Sequence, residues 1–314
     1  MEAVEKGKAP MRSAAKVAPP RVGTADRAKR PRPTVTSFED IEEDLEKEAL
    51  AHGSGEEDED DDEAEATEAI EQEEDDGILE WPRFDGDGWG PKEPHPLGPR
   101  PDHVEGSIYP AEAFIPASVN KHLRPYQREG VEWMWKQYAR GRGGLLGDDM
   151  GLGKTVQTIA FLTAVLGKLA NSEDRERRFP LPSGDRRQAL VVVPTSTLTN
   201  WERELRTWGS FRWLRCHGDT RESALEQAKE GGCEVLLTTY GMLLKNAAAV
   251  GEVKWTVAFF DEVHTLKNPK GKSNLAAFEA LERCQPRFGL SGTPMSNKYV
   301  ELWSLFDFVS NHRV

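Results

Sequence analysis

The chain has 314 residues and a formal net charge of −13, enough for one large or two ordinary domains. Its three cysteines, Cys216, Cys233 and Cys284, are widely spaced and form no C-x-x-C pair, which argues against a zinc site and a disulfide framework and for a reducing compartment. No apolar run is long enough to span a bilayer, and no apolar leader follows Met1, so neither a membrane span nor a secretory signal is expected.

The charge is segregated. Residues 1–38 hold nine Lys/Arg against three Asp/Glu, and residues 39–76 hold 22 acids against Lys47 alone, leaving a net of +2 for the rest. The acidity therefore belongs to a tail and does not argue against nucleic acid as a partner. Glu56 to Glu63 are eight consecutive acids. Such a block repels itself and cannot bury enough apolar area to offset its ordering entropy, so residues 1–76 are expected to be a disordered tail. It reads either as a solvated spacer or as a histone-facing or DNA-mimicking segment. The cluster Arg27-Ala28-Lys29-Arg30-Pro31-Arg32 reads as a nuclear import signal, a nonspecific phosphate contact or a plain basic tail. Residues 77–107 are a Gly/Pro-rich linker, expected to be irregular, with Trp81, Phe84 and Trp89 as anchors.

From 108 to 314, strands and helices are predicted to alternate. Pro125 opens a helix reaching Ala139, with an apolar stripe through Val131, Trp133, Met134, Trp135 and Tyr138. Leu145-Leu146 is a short strand and Lys154 to about Leu169 a helix, followed by a polar loop. Ala189 to Val193 is a fully buried strand, Leu198 to Trp208 a helix, Phe211 to Cys216 a strand and Arg221 to Lys229 a helix. Cys233 to Thr238 is a strand, Gly241 to Asn246 a short helix and Trp255 to Phe260 a strand. Ser273 to Arg283 is a helix, Arg287 to Leu290 a strand and Asn297 to Val309 a last helix. Continuous apolar strands alternating with helices imply an α/β domain with a parallel sheet covered on both faces. Ligands of such sheets bind beyond the carboxyl ends of the strands.

Two segments at such ends carry chemistry. Gly147-Asp148-Asp149-Met150-Gly151-Leu152-Gly153-Lys154-Thr155 runs from a strand into a helix. Glycines let the backbone approach an anion, the helix N-terminus adds partial positive charge, and Lys154 would reach outer phosphates while the Thr155 hydroxyl ligates Mg²⁺. Asp148 stands where the usual loop has its first Gly, so a plain glycine-rich turn remains open. Val257 to Phe260 runs into Asp261-Glu262-Val263-His264. Nucleotide hydrolysis needs one carboxylate for the metal, partly through water, and a second to position and deprotonate the attacking water. Asp261 fits the first task and Glu262 the second; a solvated strand end is the bland alternative. Pro194-Thr195 before a helix and Thr238-Thr239 at a strand end offer hydroxyls suited either to backbone phosphates or to capping.

The order of these segments resembles the Swi/Snf-related branch of helicase superfamily two, whose members are DNA-dependent ATPases that translocate on duplex DNA. Leu123-Arg124-Pro125-Tyr126-Gln127-Arg128-Glu129-Gly130-Val131 is similar to its adenine-side motif, Gly147–Thr155 to motif I, Val191-Val192-Val193-Pro194 with Asn200-Trp201 to motif Ia, and Leu237-Thr238-Thr239-Tyr240 to Ib. Asp261-Glu262-Val263-His264 is similar to motif II and Leu290-Ser291-Gly292-Thr293-Pro294 with Asn297 to motif III. In that family Asp148 and Asp149 are normal. The motif II wording and the following Leu266-Lys267-Asn268-Pro269 look most like the Cockayne-syndrome group B/excision-repair-like subfamily.

The resemblance implies a RecA-like parallel sheet flanked by helices, the first of two ATPase lobes. It implies ATP and Mg²⁺ as cofactors, double-stranded DNA as partner, nucleosomes through the acidic tail, and a nuclear location. Gln127 would hold adenine, and Asp148, Met150, Gly151, Leu152, Gly153, Lys154 and Thr155 the phosphates. Thr155 and Asp261 would serve the metal and Glu262 the water. Pro194, Thr195, Thr238 and Thr239 would face DNA, while His264, Ser291, Gly292 and Thr293 would couple the two sites. A second lobe, with its arginines, is not found in the 314 residues. A truncated product with weak binding and poor hydrolysis is therefore expected, and a non-catalytic nucleotide- or DNA-binding module is the alternative. A small-molecule kinase would need no Gln127 and no DNA.

Overall fold

The computed structural model describes residues 90–103, 105, 110–170, 174, 187–284, 286–293 and 299–311, all within the compact unit Asp75–Val314. The tail, Trp81, Phe84, Trp89, most of the polar loop after the phosphate-loop helix, Pro294 and Asn297 lie outside the described residues. The strands are β1 His95–Pro99, β2 Glu112–Ile115, β3 Gly144–Leu146, β4 Ala189–Val193, β5 Trp213–Cys216, β6 Val235–Thr239, β7 Val257–Asp261 and β8 Arg287–Leu290. The helices are α1 Ala117–Asn120, α2 Pro125–Tyr138, α3 Lys154–Val165, α4 Leu198–Trp208, α5 Arg221–Lys229, α6 Tyr240–Gly251, α7 Lys272–Ala280 and α8 Tyr299–Ser310.

Six strands form one parallel sheet in the order β3-β8-β7-β4-β6-β5. β4, β6 and β7 are buried at every position, as a sheet covered on both faces requires. Alternation along the strands sorts their side chains into two cores. Val191, Val193, Leu237, Phe259 and Phe288 join Val131 and Trp135 of α2, Phe161 of α3 and Trp201 of α4. Leu190, Val192, Leu236, Ala258 and Phe260 join Leu225 of α5, Leu243 of α6 and Leu305 and Phe308 of α8. Phe161, Phe259 and Phe288 form an aromatic triad with centroids 5.2 to 5.6 Å apart. It ties α3 to β7 and β8, the strands whose ends matter below; such pairs add about 0.5–1.5 kcal/mol beyond burial.

The stretch expected to be irregular over 77–107 contains β1, which pairs antiparallel with β2 around a bulge between Pro96 and Gly98. A two-stranded ribbon is all edge, so Pro96 and Pro99 remove no essential ladder bond. Buried Ala113 and Ile115 of β2 seat the hairpin against the core that holds α3. The helix expected to stop at Asn246 runs on to Gly251 through a kink at Asn246, whose side-chain amide donates to the Met242 carbonyl at 2.8 Å. β7 extends one residue further than expected, so Asp261 itself is in the strand. Among the described residues no helix is long and apolar enough to cross a membrane.

Candidate active site

Three neighbouring strands, β3, β8 and β7, deliver the phosphate loop, Ser291-Gly292-Thr293 and Asp261-Glu262 to one rim. The loop wraps the start of α3 with Gly151 at φ 82° and Gly153 at φ 77°, the left-handed region that side chains avoid. A β-carbon at Gly153 would also stand 2.5 Å from the Gln127 amide nitrogen. The Lys154 ammonium donates to the carbonyls of Asp148 (2.8 Å) and Asp149 (3.3 Å), so the lysine is folded over its own loop. Asp148 accepts from Gln157 Nε2 at 2.8 Å; that bond ties the residue replacing the usual first glycine to the next turn of α3. Thr155 is half-buried beside Lys154, while Met150 and Leu152 are exposed.

Gln127 lies at the same place, with a different set of contacts from a side chain reserved for a base. Its Oε1 accepts from the Arg124 backbone N–H at 2.9 Å and its Nε2 donates to the Leu152 carbonyl at 3.1 Å. It thus caps α2 and braces the phosphate loop. An amide has a further donor and acceptor position left for a ligand.

The Asp261 carboxylate is buried and doubly held. Trp201 Nε1 donates to Oδ2 at 2.7 Å and the Glu262 backbone N–H to Oδ1 at 3.1 Å. The Tyr240 hydroxyl donates to the Asp261 carbonyl at 2.7 Å. Burial pushes the carboxyl above its ordinary range; the Trp201 bond, the Glu262 N–H and the Lys154 charge pull the other way, and the Glu262 charge adds to the rise. The strand that leads into the Lys154 loop and the strand that carries Asp261 are separated by β8 alone. Glu262 has φ 47° and ψ 51°, a left-handed conformation sparsely populated by non-glycine residues. Thr265 holds it there, donating to the Glu262 carbonyl from its N–H at 3.0 Å and its hydroxyl at 2.9 Å.

His264 Nδ1 lies 3.3 Å from a Glu262 carboxylate oxygen and 3.4 Å from Ser291 Oγ, and Ser291 Oγ accepts from the Thr293 N–H at 3.1 Å. A β-carbon at Gly292 would meet Met150 Cγ at 2.8 Å and Lys154 Nζ at 3.7 Å, so this turn lies on the phosphate loop and a side chain there would displace the exposed Met150. The motif II and III residues thus form one hydrogen-bonded chain beside Lys154.

The rim continues through β4 and β6. Pro194 and Thr195 are half-buried and Ser196 is exposed, so this segment is accessible. The expectation for Thr238 and Thr239 needs correcting. Thr238 is 1% exposed and its hydroxyl donates to the Cys216 carbonyl at 3.0 Å. Thr239 is 2% exposed and caps α6, accepting from the Met242 N–H at 3.4 Å. At the end of a strand covered on both faces these hydroxyls satisfy local backbone and neither is presented to a phosphate. Sequence reasoning missed the donor roles of Trp201, Tyr240 and Gln157. Trp201 sits on the apolar stripe Leu198, Trp201, Leu205, Trp208, and neither that stripe nor the similarity to motif Ia pointed to a bond with Asp261.

This rim defines an α/β lobe of the phosphate-loop kind. The SNF2-related domain matches residues 126–313, and the chain belongs to that family of helicase-like ATPases. It is 40% identical over 204 residues to "DNA excision repair protein ERCC-6-like 2" of Mus musculus, covering 62% of this chain and 13% of the relative. It is 41% identical over 197 residues to "Switch 2" of Arabidopsis thaliana, covering 62% and 22%. The mouse relative's name agrees with the excision-repair-like wording of motif II. A solved Sulfolobus solfataricus SWI2/SNF2 ATPase core in complex with dsDNA matches with TM-score 0.49 and 35% identity, covering 61% of this chain and 36% of that one. The chain spans less than a quarter of the length of either curated relative.

Proposed function

We propose that this lobe binds ATP with Mg²⁺ and works as the first half of a nuclear DNA-dependent ATPase that translocates on double-stranded DNA in repair or remodelling. The observation that carries the reading is that the Lys154 loop, the Gly292 turn and Asp261 follow three neighbouring strands at one rim, with a Gly292 β-carbon position 3.7 Å from Lys154 Nζ. Gly151, Leu152 and Gly153 offer backbone N–H groups at a helix start, and Lys154 exchanges its loop carbonyls for β- and γ-phosphate oxygens. Asp148 and Met150 shape the loop, and Gln127 holds it while its remaining donor and acceptor read the adenine edge.

The donor set fits magnesium. Asp261 and Thr155 supply hard oxygens, and no trio of His, Cys, Asp or Glu among the described residues could cage a metal alone, so phosphates and water would complete its shell. When bound, the ion neutralises charge developing on the phosphates. Asp261 would hold it and Glu262 would orient and deprotonate the attacking water. His264, Ser291 and Thr293 relay the state of Glu262 along the rim toward Pro194 and Thr195, which are free to meet a DNA backbone. The acidic tail is proposed as a nucleosome-facing segment.

Two measurements test this. Lys154→Ala should lower Mg·ATP affinity about a hundredfold, about 2.7 kcal/mol, in calorimetry; equal affinity overturns nucleotide binding at this loop. Duplex DNA should raise ATP turnover by the chain joined in frame to a second ATPase lobe. No response to duplex, with nucleotide binding intact, sinks the motor reading in favour of a binding module.

A further inference from the structure

The carboxylate expected to face the metal is oriented by a residue that no catalytic role was assigned to. We propose that Trp201 is a positioning residue, whose indole N–H fixes the Asp261 carboxylate in the plane that receives Mg²⁺. The inference rests on the reading of Asp261 as the magnesium-side carboxylate.

A carboxylate on a short side chain turns freely about its terminal bond, because that torsion is broad and roughly two-fold. Here each oxygen has one donor, Trp201 Nε1 on Oδ2 at 2.7 Å and the Glu262 N–H on Oδ1 at 3.1 Å. Two donors on opposite oxygens fix the plane and leave each oxygen with acceptor capacity for a metal or its water. The indole N–H can only donate, so it cannot bond to the protonated face of a neutral carboxyl oxygen or take a proton from a bound water.

The donor is itself rigid. Trp201 is fully buried, lies in the first turn of α4 and packs in the core shared with Leu198 and Leu205. Asp261 has the sheet parity of Phe259, which points to that same core, so the strand delivers the carboxylate to the indole. From the opposite core Tyr240 donates to the Asp261 carbonyl at 2.7 Å. α4 therefore sets the side chain and α6 sets the main chain. Donors that hold a ligating carboxylate contribute about 10- to 100-fold to metal affinity.

A packing role for Trp201 predicts something different, and nucleotide binding separates the two. ADP affinity is measured by calorimetry with Mg²⁺ and with EDTA, in Trp201→Phe and in a variant carrying benzothiophene in place of the indole at position 201. The second keeps the shape and removes only the N–H, so it decides the matter if the phenylalanine variant does not fold. Affinity in EDTA should stay within about twofold of the parent chain, while the gain on adding Mg²⁺ should shrink about tenfold. A full magnesium gain in the benzothiophene variant overturns the proposal, as does an equal loss with and without the metal. A parent chain with no magnesium gain, or an Asp261→Asn variant that keeps all of it, instead sinks the reading of Asp261 on which the proposal stands.

Discussion

The two rims of the sheet treat charge in opposite ways. At the carboxyl ends Lys154 is held by carbonyls, Glu262 is left-handed and His264 is shared between two partners. At the amino ends several buried charges among the described residues are paired within the fold. Lys168 pairs with Glu234 at 2.7 Å with both side chains under a tenth exposed, and Glu234 also accepts from the Arg212 N–H at 2.9 Å. Arg100 and Arg187 donate to the Val165 carbonyl at the end of α3, at 3.1 and 3.0 Å. Arg287, fully buried, donates to the Cys284, Leu281 and Phe308 carbonyls and stacks on Phe278 and Phe308. Cations at helix carboxyl ends complement the helix dipole. One rim pairs its buried charges within the fold, and the other keeps groups that a ligand can complete. Stability and chemistry are thus placed at opposite ends of the same strands.

That division can be broken from either side. The largest effect is expected from Glu262→Gln at the functional rim. Mg·ATP affinity should stay within about twofold while DNA-stimulated turnover falls by about 10²–10⁴, the worth of a positioned general base. Retained turnover would remove Glu262 from that role. At the other rim Lys168→Met should cost about 3–5 kcal/mol in denaturant unfolding by stranding Glu234, whereas the double variant with Glu234→Leu should recover most of the loss. Nucleotide affinity should not change in either; if it does, the rims are not separate.

A milder test returns to the functional rim. Gly292→Ala puts a methyl 2.8 Å from Met150 Cγ and close to Lys154 Nζ. Mg·ATP binding should weaken about tenfold, near 1.4 kcal/mol, with the unfolding midpoint unchanged. A last effect lies away from neutral pH. Burial pushes the Cys233 and Cys284 thiols from 9.0 to about 12. Between those values the unfolded chain releases protons that the folded chain keeps, so this contribution is intact below pH 9 and lost as pH rises toward 12. Urea midpoints should decline over that window and decline less in Cys233→Ala and Cys284→Ala variants.

Legibility in the sequence followed locality. The loop from Gly147 to Thr155 and the Asp261-Glu262 pair could be read because a glycine pattern at a helix start and an acid pair after an apolar strand are local signals. The unbroken apolar runs of β4 and β7 likewise implied a sheet covered on both faces. β1 was hidden because Pro96 and Pro99 speak against a strand, and pairing with β2 across a long connection overrides that preference. Thr238 and Thr239 looked available because a strand-end hydroxyl says nothing about which carbonyl or N–H lies beside it. The bond from Trp201 to Asp261 joins residues 60 apart, and its helix stripe reads as core alone.

Residue order and periodicity by themselves determined an α/β lobe with a phosphate loop and two acids at strand ends, because hydrophobic period and backbone chemistry act over a few residues. Only the tertiary structure decided that β8 lies between β3 and β7, that the Gly292 turn lies on the Lys154 loop, and that Trp201 and Tyr240 hold Asp261 from opposite faces. Strand order and side-chain partners depend on packing between distant segments, where burial compels each polar group to find a donor or acceptor that no local pattern specifies.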